Sequence, residues 1–510
     1  MQSGIRSHIA VITACGLAFA SSRTAFAEKT PQSIVDLAMA EMSVGRTLQA
    51  VSTITVAGRE ILYDVVENDH PGAPYYVYFS DIRRSTDLSS ERQRTDSVST
   101  TGKTSVILTP NLSVAMSGEG PAAKRAASAP PPSWMTQDPI QALRMARAAS
   151  DLKVEQSVTW HEARQQVVSF HNGPYRVRLL IDSQTGLPSA TEALVSFDRP
   201  ASSGVVAWDV WGDVVERTEY MNWTVVDGIR YPYQWDVFRN GALFRTVAIA
   251  EAHVDTPIDP VAFAVAVTDV ADPLSIEDLP LGRAVSGAPA PNKPIVEIAR
   301  DIIQIPNSWY STLVRQKDGI VVIDAPISAG YSKQVLKEAA RRFPGIPVKA
   351  LITSTGFFWH IAGVREYAAR GIPIYAEPRN AELIQKMLAA PHSLVPDDLS
   401  KTHHPPPVVI PVFTRLTIGK GANVVAVMPI RKGTGPMLMT YIKDAKLLHT
   451  GEMVQPFGPN EGLLYPESLI ELTEQVREEA LDVAQIIGMH MSPTPWSKVG
   501  DTLKEAGVRI

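Results

Sequence analysis

Thr353-Ser-Thr-Gly-Phe-Phe-Trp-His360-Ile-Ala-Gly363 follows the apolar run Val348 to Ile352 and precedes a helical pattern from Gly363 to Ala369. A strand, a short loop of small and aromatic residues and a helix are expected in immediate succession. Outward from this point, strands and helices alternate. Ile295 to Ile305, Ser311 to Gln316 and Gly319 to Asp324 read as strands, and Ser332 to Phe343 as an amphipathic helix with Val335, Leu336 and Ala339 on one side. Pro373 to Ala376 reads as a strand and Ala381 to Leu388 as a helix. Val408 to Val412, Arg415 to Ile418, Val424 to Met428, Met437 to Ile442 and Lys446 to Leu448 read as strands. Leu469, Leu472, Val476, Ala480, Val483 and Ile487 share one helical face, so the spacing predicts one long helix over Pro466 to Ile487. Pro466, Glu467 and Glu471 suit its N-terminus.

The quoted stretch resembles the metallo-β-lactamase signature His-x-His-x-Asp-His, in the same setting between strand and helix. Laid on that pattern, His360 takes the last histidine, while Thr355, Phe357 and Trp359 fall on the first His, the second His and the Asp. Other stretches match in order. Gly319-Ile-Val-Val-Ile-Asp-Ala325 looks like the strand ending in Asp ahead of the metal loop. Met437-Leu-Met-Thr-Tyr-Ile442 with Lys446-Leu-Leu-His-Thr-Gly-Glu452 looks like the later hairpin that ends in Gly-Asp. Ile487-Gly-Met-His490, with Pro493, Pro495 and Trp496, looks like the final histidine loop. The resemblance implies an αβ/βα sandwich over residues 295–510, within an α+β chain.

It also implies a site for two zinc ions that this chain has largely lost. None of Thr355, Phe357 and Trp359 is an ordinary zinc ligand. The middle histidine falls on Arg431-Lys432-Gly433-Thr434, where Gly433 matches best, and no histidine lies between His404 and His449. His360, His490 and Glu452 all belong around the second ion. Two histidines and a carboxylate form a three-ligand set for zinc with a bound water, or for non-haem iron(II). Glu452 is one methylene longer than the Asp it replaces, and Trp359 adds bulk beside His360; both count against a tight site.

Two readings stay open. In one, the chain is a hydrolase relative with an eroded site: at most one zinc or iron is held by His360, Glu452 and His490, and Glu452 is either a ligand or the catalytic proton acceptor. Thr355, Phe357, Trp359 and Lys432 then line the substrate cleft. In the other, no metal binds, the two histidines are structural and Glu452 caps a turn. Phe357, Phe358 and Trp359 then make an apolar cleft suited to a hydrophobic ligand, or serve as core packing. The partner is a small-molecule or lipid-like ligand, or another protein; oligomeric state is left open.

The chain has 510 residues, 45% of them apolar and 20% charged, which calls for more than one globular core. Residues 1–27 read as a signal peptide: Arg6 and His8 precede the apolar run Ile9 to Ala20, and Ala25-Phe26-Ala27 is a small-x-small cleavage site. Ile12-Thr13-Ala14-Cys15 offers a second reading, a lipoprotein box. Cleavage after Ala27 removes the only cysteine, and with it any disulfide or thiolate ligand. A periplasmic location is expected. Loss of Arg6 and Arg23 takes the formal charge from −5 to −7, against nucleic-acid binding. No other long apolar segment suggests a transmembrane span.

Residues 28–285 predict a mostly antiparallel β domain, and 286–294 a linker ahead of the sandwich at 295–510. Leu48 to Val56, Ile61 to Val66, Pro74 to Phe79, Ser105 to Leu108, Gln166 to Phe170 and Tyr175 to Ile181 read as strands. Arg239-Asn240-Gly241-Ala242 is a strong hairpin signal. Gly118 to Pro132 reads as a flexible excursion. Tyr220 to Pro232 resembles strands in the half-barrels of periplasmic lipoprotein carriers, which implies an apolar concave face; an ordinary scaffold core is the other reading. His161-Glu162 fails as a helical zinc motif because position 165 is Gln, and His403-His404 sits in a proline-rich loop.

Overall fold

Asp227-Gly228 and Asn240-Gly241 reverse the chain with φ of 47° and 87°, and of 46° and 86°. Two-residue loops with both φ positive match the twist of antiparallel strands, so each closes a tight hairpin. They join Asp213–Val226, Ile229–Arg239 and Ala242–Val254. His161-Glu162 makes the same kind of turn, with φ of 48° and 61°, between Lys153–Trp160 and Ala163–Asn172. The computed structural model describes residues 30–64, 75–117, 124–128, 133–196, 212–264, 279–283, 293–431, 435–456 and 462–508. The expected signal peptide, and the linker apart from residues 293 and 294, lie outside these.

Hairpins of this kind build one 13-stranded sheet in which every neighbour is antiparallel. Its middle is the pairing of the first strand, Thr53–Asp64, with the last, Ala242–Val254. The helices Pro31–Met42 and Pro139–Ala148 bury Ile34, Val35, Met39, Ile140 and Leu143 among strand residues such as Phe170, Leu179 and Trp235. Thr30 and Asp138 cap these helices and a proline follows each. The sheet is not uniformly apolar beneath them. Arg84 and Arg245 converge on Glu60 at 3.9 and 3.5 Å, and Arg239 holds buried Glu216 at 2.9 Å. The charges are tolerated because each carboxylate has a guanidinium partner.

Two smaller sheets follow. The first has seven strands, antiparallel from Val296–Ala299 to Gly319–Ile323 and parallel onward through Val348–Ile352, Ile374–Ala376 and Ile410–Pro411. Gly319–Ile323 is buried at every position, as a strand covered on both faces must be. The second has six strands, from Leu416–Ile418 to Met491–Pro495. The sheets share a core of Ile302, Val321, Ile352, Val427, Leu438 and Ile487. Ala329–Arg342, Val364–Ala369 and Pro378–Ala389 cover the outside of the first, and Pro466–Glu478 and Ser497–Glu505 that of the second. Helix, sheet, sheet, helix is the αβ/βα layering expected for residues 295–510.

Several expected boundaries move. The long helix ends at Glu478, and Gln485–Gly488 is a strand beside Leu447–His449. Ala480 takes φ 49°, and Leu481 N–H donates to Val476 O at 3.0 Å, closing the helix end. Ile295 to Ile305 splits at Asp301, φ 62°, into a hairpin. Leu48–Ala50 is a short 3-10 turn, so the strand begins later. Within Gly118 to Pro132, Lys124–Ser128 forms an edge strand on Ser113–Ser117, since no Gly or Pro interrupts it.

Candidate metal centre

Four turns at one edge of the sandwich build the site. After Val348–Ile352 the chain runs through Thr353–Phe357 into the one-turn helix Phe358–Ile361, which carries His360. Gly356 passes so close to Asn380 that a Cβ would overlap its side-chain amide. Glu452 follows Leu447–His449, and His490 sits in the tight turn between Gln485–Gly488 and Met491–Pro495. The fourth turn, Pro306 to Tyr310, supplies Ser308 and Trp309. The Glu452 and His490 turns are tied directly: Thr450 N–H donates to Ile487 O at 2.9 Å and Met489 N–H to Gly451 O at 3.0 Å.

Asp324 and His449 tie them to the His360 loop. Asp324, fully buried at φ 66°, accepts from Ser354 N at 2.6 Å and Ser354 Oγ at 2.8 Å. Burial, with a smaller push from the Glu452 charge, raises its carboxyl to about 7. His449 Nδ1 accepts from Gly451 N at 3.1 Å, so its proton lies on Nε2, which faces Asp324 Oδ2 at 3.6 Å. Burial holds this imidazole down to about 3, hence neutral. A second brace is strained. Ile327 has φ 75°, Ser328 N–H donates to Pro326 O at 2.9 Å, and Ile327 N–H reaches Trp359 O at 2.8 Å. A β-branched residue in such a turn costs roughly 1–3 kcal/mol, and it fixes the residue before His360.

The ligand candidates converge. One ligand atom each from His360, Glu452 and His490 lies within 4.8 Å of the others. His360 Nδ1 is 3.2 Å from Glu452 Oε2, and His490 Nε2 is 3.3 Å from Glu452 Oε1. Each imidazole thus faces a different oxygen of the same carboxylate. The chemistry of the donors also fits a cation. His490 Nδ1 lies 3.0 Å from Ser308 O, a carbonyl that only accepts, so Nδ1 carries the proton. In the neutral ring Nε2 then turns a lone pair toward a carboxylate oxygen, an arrangement that a proton or a metal ion must bridge. His360 Nδ1 and Glu452 Oε2 are buried without a hydrogen-bond partner. Burial, partly offset by the Glu452 charge, pushes the His360 imidazole down to about 4, leaving it free to ligate.

Thr355 is buried behind the site, its hydroxyl 3.4 Å from Phe357 N. Phe357 and Trp359 are half-buried, and Lys432 and Gly433 lie outside the described residues. Trp359 stacks on Trp309, centroids 5.1 Å apart and planes within 4°. Trp309 lies 6.2 Å from the His360 ring and 6.4 Å from that of His490, and Phe357 is 5.9 Å from His360. Trp309 and His449 were not singled out in the sequence. The signal for Trp309 was a tryptophan in a short turn between apolar strands; for His449 it was only its place before Thr-Gly-Glu.

Among the solved structures to which the chain is similar are metallo-β-lactamases. One from Pontibacter korlensis is 14% identical, with a TM-score of 0.33 over 42% of this chain and 99% of that one. The DIM-1 metallo-β-lactamase is 14% identical, TM-score 0.33, over 42% of this chain and 96% of its own. The same enzyme exposed to ceftazidime gives 15%, 0.32, 42% and 96%. No family model and no curated protein matches the chain.

Proposed function

We propose that the chain is a hydrolase relative of metallo-β-lactamase-like fold whose site holds one metal ion, zinc or iron, through His360, Glu452 and His490. The convergence of the three ligand atoms within 4.8 Å carries this reading. When bound, such an ion lowers the pKa of a water and polarises a carbonyl or phosphoryl oxygen. The chain's own residues supply the rest. His360 offers a neutral, desolvated nitrogen. Ser308 O sets the tautomer of His490 and leaves Nε2 as the donor atom. Glu452 reaches both imidazoles and serves either as ligand or as acceptor of the water's proton. The substrate is a small molecule, and the segment 1–27 argues for a periplasmic site of action.

A second reading is favoured by the direct contacts of Glu452 with both histidines: a non-catalytic protein in which the trio is a structural network beside an apolar ligand or protein partner. Elemental mass spectrometry of the purified chain separates the two. One zinc or iron per chain, lost in His360→Ala, is expected. No metal above background after incubation with excess zinc overturns the first reading.

A further inference from the structure

We infer that the substrate carries a flat, apolar group, an aryl ring above all, which lies against Trp309, Trp359 and Phe357 while its scissile bond faces Glu452. The inference rests on the single-metal reading and adds the substrate's class to it.

Phe357 and Trp359 occupy motif positions where the resemblance implied polar metal ligands. Their replacement turns one side of the cleft from ion-binding to apolar without moving the other side, where His360, Glu452 and His490 converge. Trp309 enters from a different turn and extends the same wall. Its ring is parallel to Trp359, and both ligand imidazoles lie edge-on or tilted to it. All three aromatics are half-buried, as are Glu452 and His490, so neither the rings nor these two ligand candidates are sealed in the core. The turn is held at two points: Tyr310 N–H donates to Met489 O at 2.8 Å, and Ser308 O accepts a hydrogen bond from His490 Nδ1 at 3.0 Å. A wall fixed to the ligand turns sets the distance from aryl group to scissile bond, which is what specificity requires. Aromatic pairs favour stacked or edge-on contacts over aliphatic ones by roughly a factor of ten at most.

The test uses the full-length, zinc-loaded protein and two hydroxamates, which offer the same metal-binding head with different tails. Titration calorimetry should show benzohydroxamate binding about ten-fold tighter than acetohydroxamate. Trp309→Ala should bring the two affinities within about three-fold of each other, and Trp309→Phe, which keeps a ring, should restore most of the preference. Equal affinities in the unmodified protein overturn the inference and leave the metal reading standing. Failure to take up zinc overturns the metal reading itself. Should Trp309→Ala fail to fold, the same comparison in Phe357→Leu decides, since it keeps the apolar volume and removes the ring.

Discussion

His449 and His360 are both held below the ordinary imidazole value, to about 3 and about 4, chiefly by burial. The unfolded chain therefore binds more protons than the folded one across that range. Their contribution to stability is present above about 6.5 and is lost as the pH falls toward 4. Asp324 has the opposite sign. Its carboxyl is raised to about 7, so its contribution is present at low pH and is lost as the pH rises through 7. Within one window two imidazoles favour neutral pH and one carboxyl opposes them. His449→Asn keeps an acceptor for Gly451 N–H and cannot titrate. We expect its urea midpoint to fall less steeply than that of the unmodified protein between pH 6.5 and 4; parallel curves would contradict this assignment. The three ligand candidates were legible in the sequence because each stands in a stretch with its own pattern. The residues that position them were not. A buried Asp–His pair joins strands distant in sequence, and no local spacing reports it.

At the scale of elements, the hairpins were legible and one helix end was not. Asn240-Gly241 names its own turn, because both φ angles are positive and these residues tolerate that. Ala480 conceals a turn, since alanine is the best helix former and the apolar period continues through Val483 and Ile487. Pairing with Leu447–His449 pulls Gln485–Gly488 into the sheet, and the chain must leave the helix before it. Ala480 then bears a left-handed backbone at φ 49°. Ala480→Gly should remove that strain at the residue after the cap. We expect stabilisation of about 0.5–1 kcal/mol, read as a higher thermal midpoint. A lower midpoint would show that the helix end is set by something other than this residue's conformation. The same reasoning explains Trp309. An aromatic in a short loop looks like core from sequence, and only the neighbouring turn reveals that it faces two imidazoles.

At the scale of the molecule, the large N-terminal sheet is latched to the sandwich that carries the candidate site. Asp213 begins the strand Asp213–Val226, and its carboxylate accepts from Ser393 N at 2.9 Å, Ser393 Oγ and Leu394 N at 3.0 Å. Burial alone would raise this carboxyl; the Ser393 hydroxyl and the two amides outweigh it and hold it below its ordinary value. Asp213 N–H donates in return to Pro391 O at 2.8 Å. Gly212, at φ 62°, passes so close to Pro391 and His392 that any side chain would collide. Behind the latch, Asp397 pairs with Arg365, whose Nη1 donates to Met387 O at 2.7 Å and Leu388 O at 3.0 Å at the end of Pro378–Ala389. Arg365 belongs to the helix Val364–Ala369, which follows the turn carrying His360. The sheet thus braces the layer from which the ligand loop emerges. Asp213→Ala leaves two backbone amides and a hydroxyl without their acceptor, a loss of roughly 2–4 kcal/mol. Hydrogen exchange followed by mass spectrometry should then rise at residues 391–397 and, to a smaller degree, at 364–370. Asp213→Asn, which keeps one acceptor oxygen, should fall between. Unchanged exchange at 391–397 in Asp213→Ala would mean that the two parts are held together elsewhere and that the sheet does not steady the site.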